Sequence, residues 1–122
     1  MTVRCRRFAI IGGGFSGTAL AIELLRRVST PLEILLIDRR GGFGRGLAYG
    51  TGDDNHLLNV CAAKMSLLDG EPGHLVSWLQ TSRSSDTSWD QTFIPRRDYG
   101  DYLEASLRAA IDRLIGRVPA MA

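Results

Sequence analysis

The sequence has little of what several classes of protein require. It contains two cysteines, Cys5 and Cys61, and neither belongs to a CxxC motif or to a Cys/His set with metal-ligand spacing. This pattern favours two reduced thiols and no metal site. No apolar run reaches the roughly 18 residues that span a bilayer. The apolar run after the N-terminal arginines meets Gly12 without a cleavage site, so we expect a cytoplasmic protein without a signal peptide.

The sequence also lacks any concentration of charge. The formal net charge is +2, and the arginines are spread along the chain instead of forming a run with interleaved aromatic residues. Neither a nucleic acid nor a membrane is therefore expected as a partner. With 122 residues, 44% of them apolar, the chain can build one core. We expect a single domain over residues 1–122.

The first third of the chain has the pattern of a β-α-β unit. The continuous apolar run Phe8–Ile11 is typical of a strand that helices bury on both faces. Apolar residues then recur with helical spacing from Phe15 to Val28. A second buried strand is predicted at Ile34–Ile37, ending at Asp38, so the three elements fit within roughly 30 residues.

The rest of the chain predicts a loop and two helices. Half of residues 41–52 are glycine, which predicts a loop that turns sharply or approaches a ligand closely. A short amphipathic helix is predicted around Leu75–Leu79. A longer one is predicted from Tyr99 to Ile115, capped by Asp98 or Asp101, with Gly116 and Pro119 at its end.

The glycine turn between the first strand and helix matches the motif G-x-G-x-x-G. Gly12 would allow the tight turn, Gly14 would let the backbone approach a pyrophosphate, and Gly17 would let the helix pack closely on the strands. The N–H groups at the helix start would then face the pyrophosphate. The whole turn is a candidate cofactor site: Gly12, Gly13, Gly14, Phe15, Ser16 and Gly17.

An acidic residue follows the second strand at the expected place. Asp38 comes after Gly17 at about the 20-residue offset at which a carboxylate accepts hydrogen bonds from the adenosine ribose. Its neighbours Arg39 and Arg40 suggest attraction to the 2′-phosphate of NADP, but Asp38 would repel that phosphate. Arg39 is counted with the candidate site. FAD and nicotinamide cofactors share this fingerprint, so the residues alone leave the choice open.

Three further segments resemble a known family. Together with the glycine turn they are similar to the FAD/NAD(P)-binding domain of flavin-dependent hydroxylases, of the type that includes FAD-dependent urate hydroxylase and an aspartate N-monooxygenase. The segments are Gly44–Thr51, His56–Val60 with Met65-Ser66 after it, and Ile94–Leu103. The resemblance implies a Rossmann-like α/β fold, FAD as cofactor, NAD(P)H as electron donor and a small polar substrate.

The resemblance also implies further site residues. Arg45 and Gly46 would line the cofactor, and Asn59 would lie near the isoalloxazine end. Arg96, favoured over Arg97 by its spacing to the helix, would contact the cofactor as well. The alternatives are that Asn59 caps a loop and that both arginines are simply solvated.

Two departures from the family limit what the resemblance implies. Cys61 stands where proline is expected in relatives. The related enzymes are several-fold longer, and their later part supplies the nicotinamide site and the substrate pocket. We therefore expect an N-terminal portion with an incomplete doubly wound sheet and no catalytic side chains of its own. The alternatives are an inactive dinucleotide-binding fragment, or a nicotinamide-binding subunit that a separate flavin-carrying chain completes.

Overall fold

The computed structural model describes residues 5–39, 49, 53 and 55–117. The elements are strand β1 (Arg6–Ile11), helix α1 (Phe15–Arg27), strand β2 (Leu32–Ile37), a 3₁₀ turn (Ala62–Lys64), helix α2 (His74–Ser82) and helix α3 (Arg96–Arg117). All the predicted strands and helices are present. Helix α3 is described to Arg117, one residue past Gly116. Pro119 lies outside the described residues.

The two strands form a parallel sheet with α1 as the connection between them. The register runs from Arg6 paired with Leu32 to Ile11 paired with Ile37. Adjacent parallel strands joined by a helix make a βαβ unit, because parallel strands need a crossover connection. The chain therefore has a partial Rossmann-like α/β fold, as predicted.

The sheet is covered on one face only by the residues that the structure describes. That face carries Ile10 and Leu36, which pack in a core with α1 and α3. On the opposite face, Ile11, Leu35 and Ile37 are 77%, 56% and 47% exposed. The prediction of strands buried on both faces is therefore wrong here. An apolar run shows that burial is favourable, but it does not show which element supplies the cover.

Helix α1 approaches the end of β1 so closely that one position has no room for a side chain. A Cβ atom added to Gly17 would collide with the carbonyl oxygen of Gly12 and would lie 3.1 Å from Cγ2 of Ile10. The colliding atom belongs to the backbone, which cannot rotate away as the end of a side chain can. Glycine at position 17 is thus required by the packing of α1 on the strand.

Helix α3 belongs to both cores of the domain. Its first half contributes Tyr99, Tyr102 and Leu103 to the core that it shares with α2. Its second half contributes Leu107 and Ala110 to the core that it shares with α1 and the sheet. Helix α3 therefore fixes α1 relative to α2. No helix in the described part of the chain is long and apolar enough to cross a membrane.

The start of α3 is held by Arg83, and the predicted aspartate cap is wrong. The Pro95 carbonyl accepts the backbone N–H of Asp98 at 3.0 Å, so the helix begins ahead of both aspartates. Asp98 and Asp101 instead accept hydrogen bonds from Nη2 of Arg83, at 3.3 and 2.7 Å. The guanidinium carbon of Arg83 lies 5.0 Å from the centre of the Trp78 ring. These contacts join the end of α2 to the first turns of α3.

A partly buried hydrogen-bonded pair also connects α2 to α3. The hydroxyl of Tyr102 accepts the backbone N–H of Leu67 at 2.9 Å and lies 2.6 Å from Nδ1 of His74. Burial raises the pKa of Tyr102 to about 12. Burial also lowers the pKa of His74 from its usual value of 6.5, so the imidazole is neutral at pH 7. The Tyr102 hydroxyl can then donate to Nδ1 of His74.

We predict that replacing Gly17 with alanine lowers the free energy of unfolding by at least about 2 kcal/mol, because the added methyl group collides with backbone. Gly73→Ala is the matched control, since a Cβ at Gly73 meets nothing within 4 Å. The control should change stability by less than about 0.5 kcal/mol. Urea unfolding followed by tryptophan fluorescence measures both. Equal effects of the two substitutions would show that α1 does not pack closely on β1.

We predict that the domain loses stability as the pH falls below 6.5 and that His74 causes part of this loss. The unfolded imidazole titrates near 6.5 and the folded one at lower pH, so the unfolded chain binds more protons in between. His74→Asn, which keeps an acceptor near Nδ1, should flatten the pH dependence of the free energy of unfolding. A wild-type slope in His74→Asn would contradict the assignment.

Candidate functional site

The glycine turn begins with a residue in a backbone conformation that side chains disfavour. Gly12 follows β1 with φ of 102°, in the left-handed region where glycine is the favoured residue. Its N–H donates to the carbonyl of Ile37, the last residue of β2, at 2.7 Å. The chain therefore leaves β1 in a sharp turn that stays hydrogen-bonded to the neighbouring strand, in agreement with the expected tight turn at Gly12.

Asp38 is hydrogen-bonded to the glycine turn. The backbone N–H of Gly13 donates to Oδ2 of Asp38 at 2.8 Å, in a partly buried position. Since β1 and β2 are parallel neighbours, their carboxyl ends meet at one edge of the sheet. The turn after β1 and the acid after β2 therefore lie together. The position of Asp38 after β2 was predicted from the sequence, whereas its bond to the backbone of Gly13 was not.

The start of α1 offers N–H groups to an anion. Gly14 is the N-cap residue, and its carbonyl accepts the backbone N–H of Thr18 at 3.0 Å. The Thr18 hydroxyl, fully buried, donates to the carbonyl of Gly13 at 3.2 Å and holds the turn against the helix. Among the described residues, no side chain caps α1 and no acidic residue lies in its first turn. The backbone donors beside the exposed Phe15 and Ser16 can therefore bind a phosphate group.

An aromatic cluster connects the glycine turn to α3. The ring of Phe15 stacks on that of Tyr99, with centroids 6.4 Å apart and planes inclined by 25°. Tyr49 meets Tyr99 edge-on at 4.9 Å. The hydroxyl of Tyr99 donates to the carbonyl of Met65 at 2.8 Å. The sequence predicts Tyr99 in the last helix and in the third family segment, but the spacing within one helix does not identify its distant partners.

The structure also brings two of the three family segments together. Leu57 and Pro95 form an antiparallel bridge, and the backbone N–H of Arg96 donates to the carbonyl of His56 at 2.7 Å. Arg96 is half-buried at the first position of α3, whereas Asn59 is exposed. The segments that contain Asn59 and Arg96 are therefore neighbours in the fold.

The remaining predicted site residues are placed as follows. Arg39 is exposed, one residue after Asp38. Arg45 and Gly46 lie outside the described residues. The structure thus unites the glycine turn with Asp38, and Tyr99 connects that turn to the helix that begins at Arg96. Cofactor contacts of Arg39, Arg45, Gly46, Asn59 and Arg96 stay predictions.

This arrangement has the elements of a dinucleotide site: a parallel βαβ unit, a glycine turn, an exposed helix N-terminus and an acid after the second strand. The sequence model of the family described as FAD-NAD(P)-binding matches residues 9–120. The chain belongs to the FAD-NAD(P)-binding family. No curated protein and no solved structure matches it at a significant level. As a member of this family, the chain is a domain that binds a dinucleotide cofactor, FAD or NAD(P).

We predict that Asp38→Ala lowers the free energy of unfolding by about 1–3 kcal/mol, because the N–H of Gly13 loses a charged acceptor. Asp38→Asn keeps an acceptor oxygen and should lose less. Asp86→Ala, in an exposed loop, is the control and should change stability by under about 0.5 kcal/mol. Chemical unfolding of the three variants measures the differences. A loss no larger in Asp38→Ala than in Asp86→Ala would remove the structural role of this carboxylate.

Proposed function

We propose that the chain binds FAD as the N-terminal part of a flavin-dependent, NAD(P)H-using monooxygenase that acts on a small polar metabolite. One observation carries the binding part of the proposal. The N-terminus of α1 has no side-chain cap among the described residues and directly follows a turn that Asp38 holds by its 2.8 Å bond to Gly13. The positive end of the helix dipole and its N–H donors suit the pyrophosphate of a dinucleotide.

Asp38 would serve both the protein and the ribose. A carboxylate accepts several hydrogen bonds through its two oxygens, so bonding to the N–H of Gly13 is compatible with accepting a ribose hydroxyl. The same negative charge repels a 2′-phosphate and disfavours NADP at this position. FAD and NAD, which lack that phosphate, fit the site better.

The preference for FAD over NAD rests on the family segments outside the glycine turn. Contacts among the three family segments support this preference for FAD. The bridge between Leu57 and Pro95 joins the second segment to the third, and the ring contact of Tyr49 with Tyr99 joins the first segment to the third. Tyr99 is one helical turn after Arg96 and its ring reaches Phe15 in the glycine turn. We propose that the cofactor continues from the turn along this side, past Arg39, Arg45, Gly46, Asn59 and Arg96.

The chemistry of the proposed enzyme would come from the flavin, which NAD(P)H reduces and which then reacts with oxygen to hydroxylate the substrate. The residues described here would bind the cofactor and orient it. The exposed apolar face of the sheet, with Ile11, Leu35 and Ile37, supports a longer protein in which further structure covers that face. We name no side chain of this chain as catalytic.

The family description includes both FAD and NAD(P), which favours one competing function. In that alternative the chain is a nicotinamide-binding subunit, and a separate chain brings the flavin. A dinucleotide-binding fragment without turnover is the other alternative. Titrations with FAD and NADH distinguish the proposed FAD-binding domain from the nicotinamide-binding subunit, because tighter binding of NADH than of FAD supports the subunit. NADPH oxidation by this chain with added FAD and substrate would exclude the inactive fragment.

We predict that Gly14→Val lowers the affinity for FAD at least tenfold while the fold persists, because the side chain would occupy the approach of the pyrophosphate. Gly73→Val is a matched control, since Gly73 is the N-cap of α2 and a Cβ there meets nothing within 4 Å. The control should bind FAD like the wild type. Quenching of flavin fluorescence on titration with protein gives both affinities. Wild-type affinity in a folded Gly14→Val variant would overturn the proposed site.

A further inference from the structure

A small cavity lies at the opposite end of α1 from the glycine turn, where α1, α2 and α3 meet. Its volume is about 30 Å³, enough for one species of the size of a water molecule or slightly larger. Apolar side chains, among them Ile22 and Ala110, form part of the wall. The polar side chains that line it are Arg26 from α1, His74 from α2, and Ser106 and Arg113 from α3.

Ser106 brings a buried hydroxyl to this cavity. The residue is 8% exposed, and its Oγ has no hydrogen-bond partner among the described residues. The hydroxyl also lowers the pKa of the neighbouring Tyr102 phenol. Buried polar groups are normally hydrogen-bonded, so an unsatisfied hydroxyl in a cavity wall points to a species inside the cavity.

His74 presents a second donor. Its Nδ1 lies 2.6 Å from the Tyr102 hydroxyl, which already accepts the N–H of Leu67 and so donates its own proton to Nδ1. A neutral imidazole that accepts at Nδ1 carries its proton on Nε2. The hydrogen bonds around Tyr102 therefore select the tautomer in which Nε2 of His74 is a donor.

Two arginines line the cavity, and one of them, Arg26, is already paired with carboxylates. Arg26 and Arg113 line it, and both act on His74 in the direction that lowers the pKa of its imidazole. Glu71 acts in the opposite direction, but its carboxylate is bound to Arg26 at 2.9 Å. Arg26 also contacts Glu23 at 3.2 Å. No carboxylate is among the described residues that line the cavity, so its polar side chains all offer hydrogen-bond donors.

We propose that this cavity binds a small monovalent anion of the halide class, such as chloride. Oγ–H of Ser106 and Nε2–H of His74 would donate to it, and the guanidinium group of Arg113 would supply the charge. An acceptor without protons satisfies every lining donor, which a cation cannot do. The small volume excludes sulfate and phosphate. The bound anion would hold the end of α1 against α2 and α3, independently of the dinucleotide.

Proton NMR of the imidazole C–H signals tests this proposal, because the chain has two histidines and His56 is an internal control. Bromide or chloride replaces gluconate at constant sodium concentration and constant pH. We expect the His74 signals to shift with saturation and the His56 signals to stay in place. Sodium sulfate at the same ionic strength should leave both unchanged.

Variants then test the donors. Ser106→Ala should weaken the halide affinity at least tenfold, whereas Ser77→Ala, at an exposed position of α2, should not change it. If Ser106→Ala does not fold, Arg113→Gln is the second variant, and it should also weaken the halide affinity. Unmoved His74 signals in halide would overturn the proposal and leave a water-filled cavity. Signals of both histidines that shift linearly with halide concentration would also overturn the proposal, because such shifts report only a general salt effect.

Discussion

The hydrogen bond between the backbone of Gly13 and the carboxylate of Asp38 is the contact on which the candidate site depends. It connects the loop after β1 to the end of β2. The bond from the N–H of Gly12 to the carbonyl of Ile37 adds a second link to the same strand. Together they fix where α1 begins, and hence where its N–H groups are offered to a phosphate. A negative residue expected to bind the ribose thus also holds the backbone that we propose binds the pyrophosphate.

The site also depends on packing at some distance from it. Helix α3 belongs to both cores. Its Tyr99 anchors the loop before α2, and its Leu107 anchors helix α1. Tyr99 carries this connection into the site through its stack on Phe15. The bonds of Arg83 to Asp98 and Asp101 hold the first turns of the same helix. The elements of the candidate site are therefore also kept in place by contacts that lie outside it, such as those of Leu107 and Arg83.

Local patterns predicted the elements well, whereas contacts between distant segments were missed. The apolar run before Gly12 and the helical spacing after it are properties of neighbouring residues, and both gave the right element. The cap of α3 was misassigned because the helix starts at Arg96, two residues before the first aspartate, directly after Pro95. Burial of both faces of the sheet was expected from apolar residues alone, yet Ile11 is 77% exposed. The stack of Phe15 on Tyr99 needs the three-dimensional arrangement of both cores, which no spacing rule contains.

Titration of ¹⁵N-labelled protein with ADP tests most directly that the glycine turn and Asp38 form the dinucleotide site. ADP carries the ribose and the pyrophosphate that FAD and NAD share. We expect saturable shifts of the backbone amide signals of Gly13, Gly14 and Ser16 and of Asp38, with smaller changes at α2. Saturable shifts confined to other parts of the chain, with these amides unmoved, would contradict the assignment of the site.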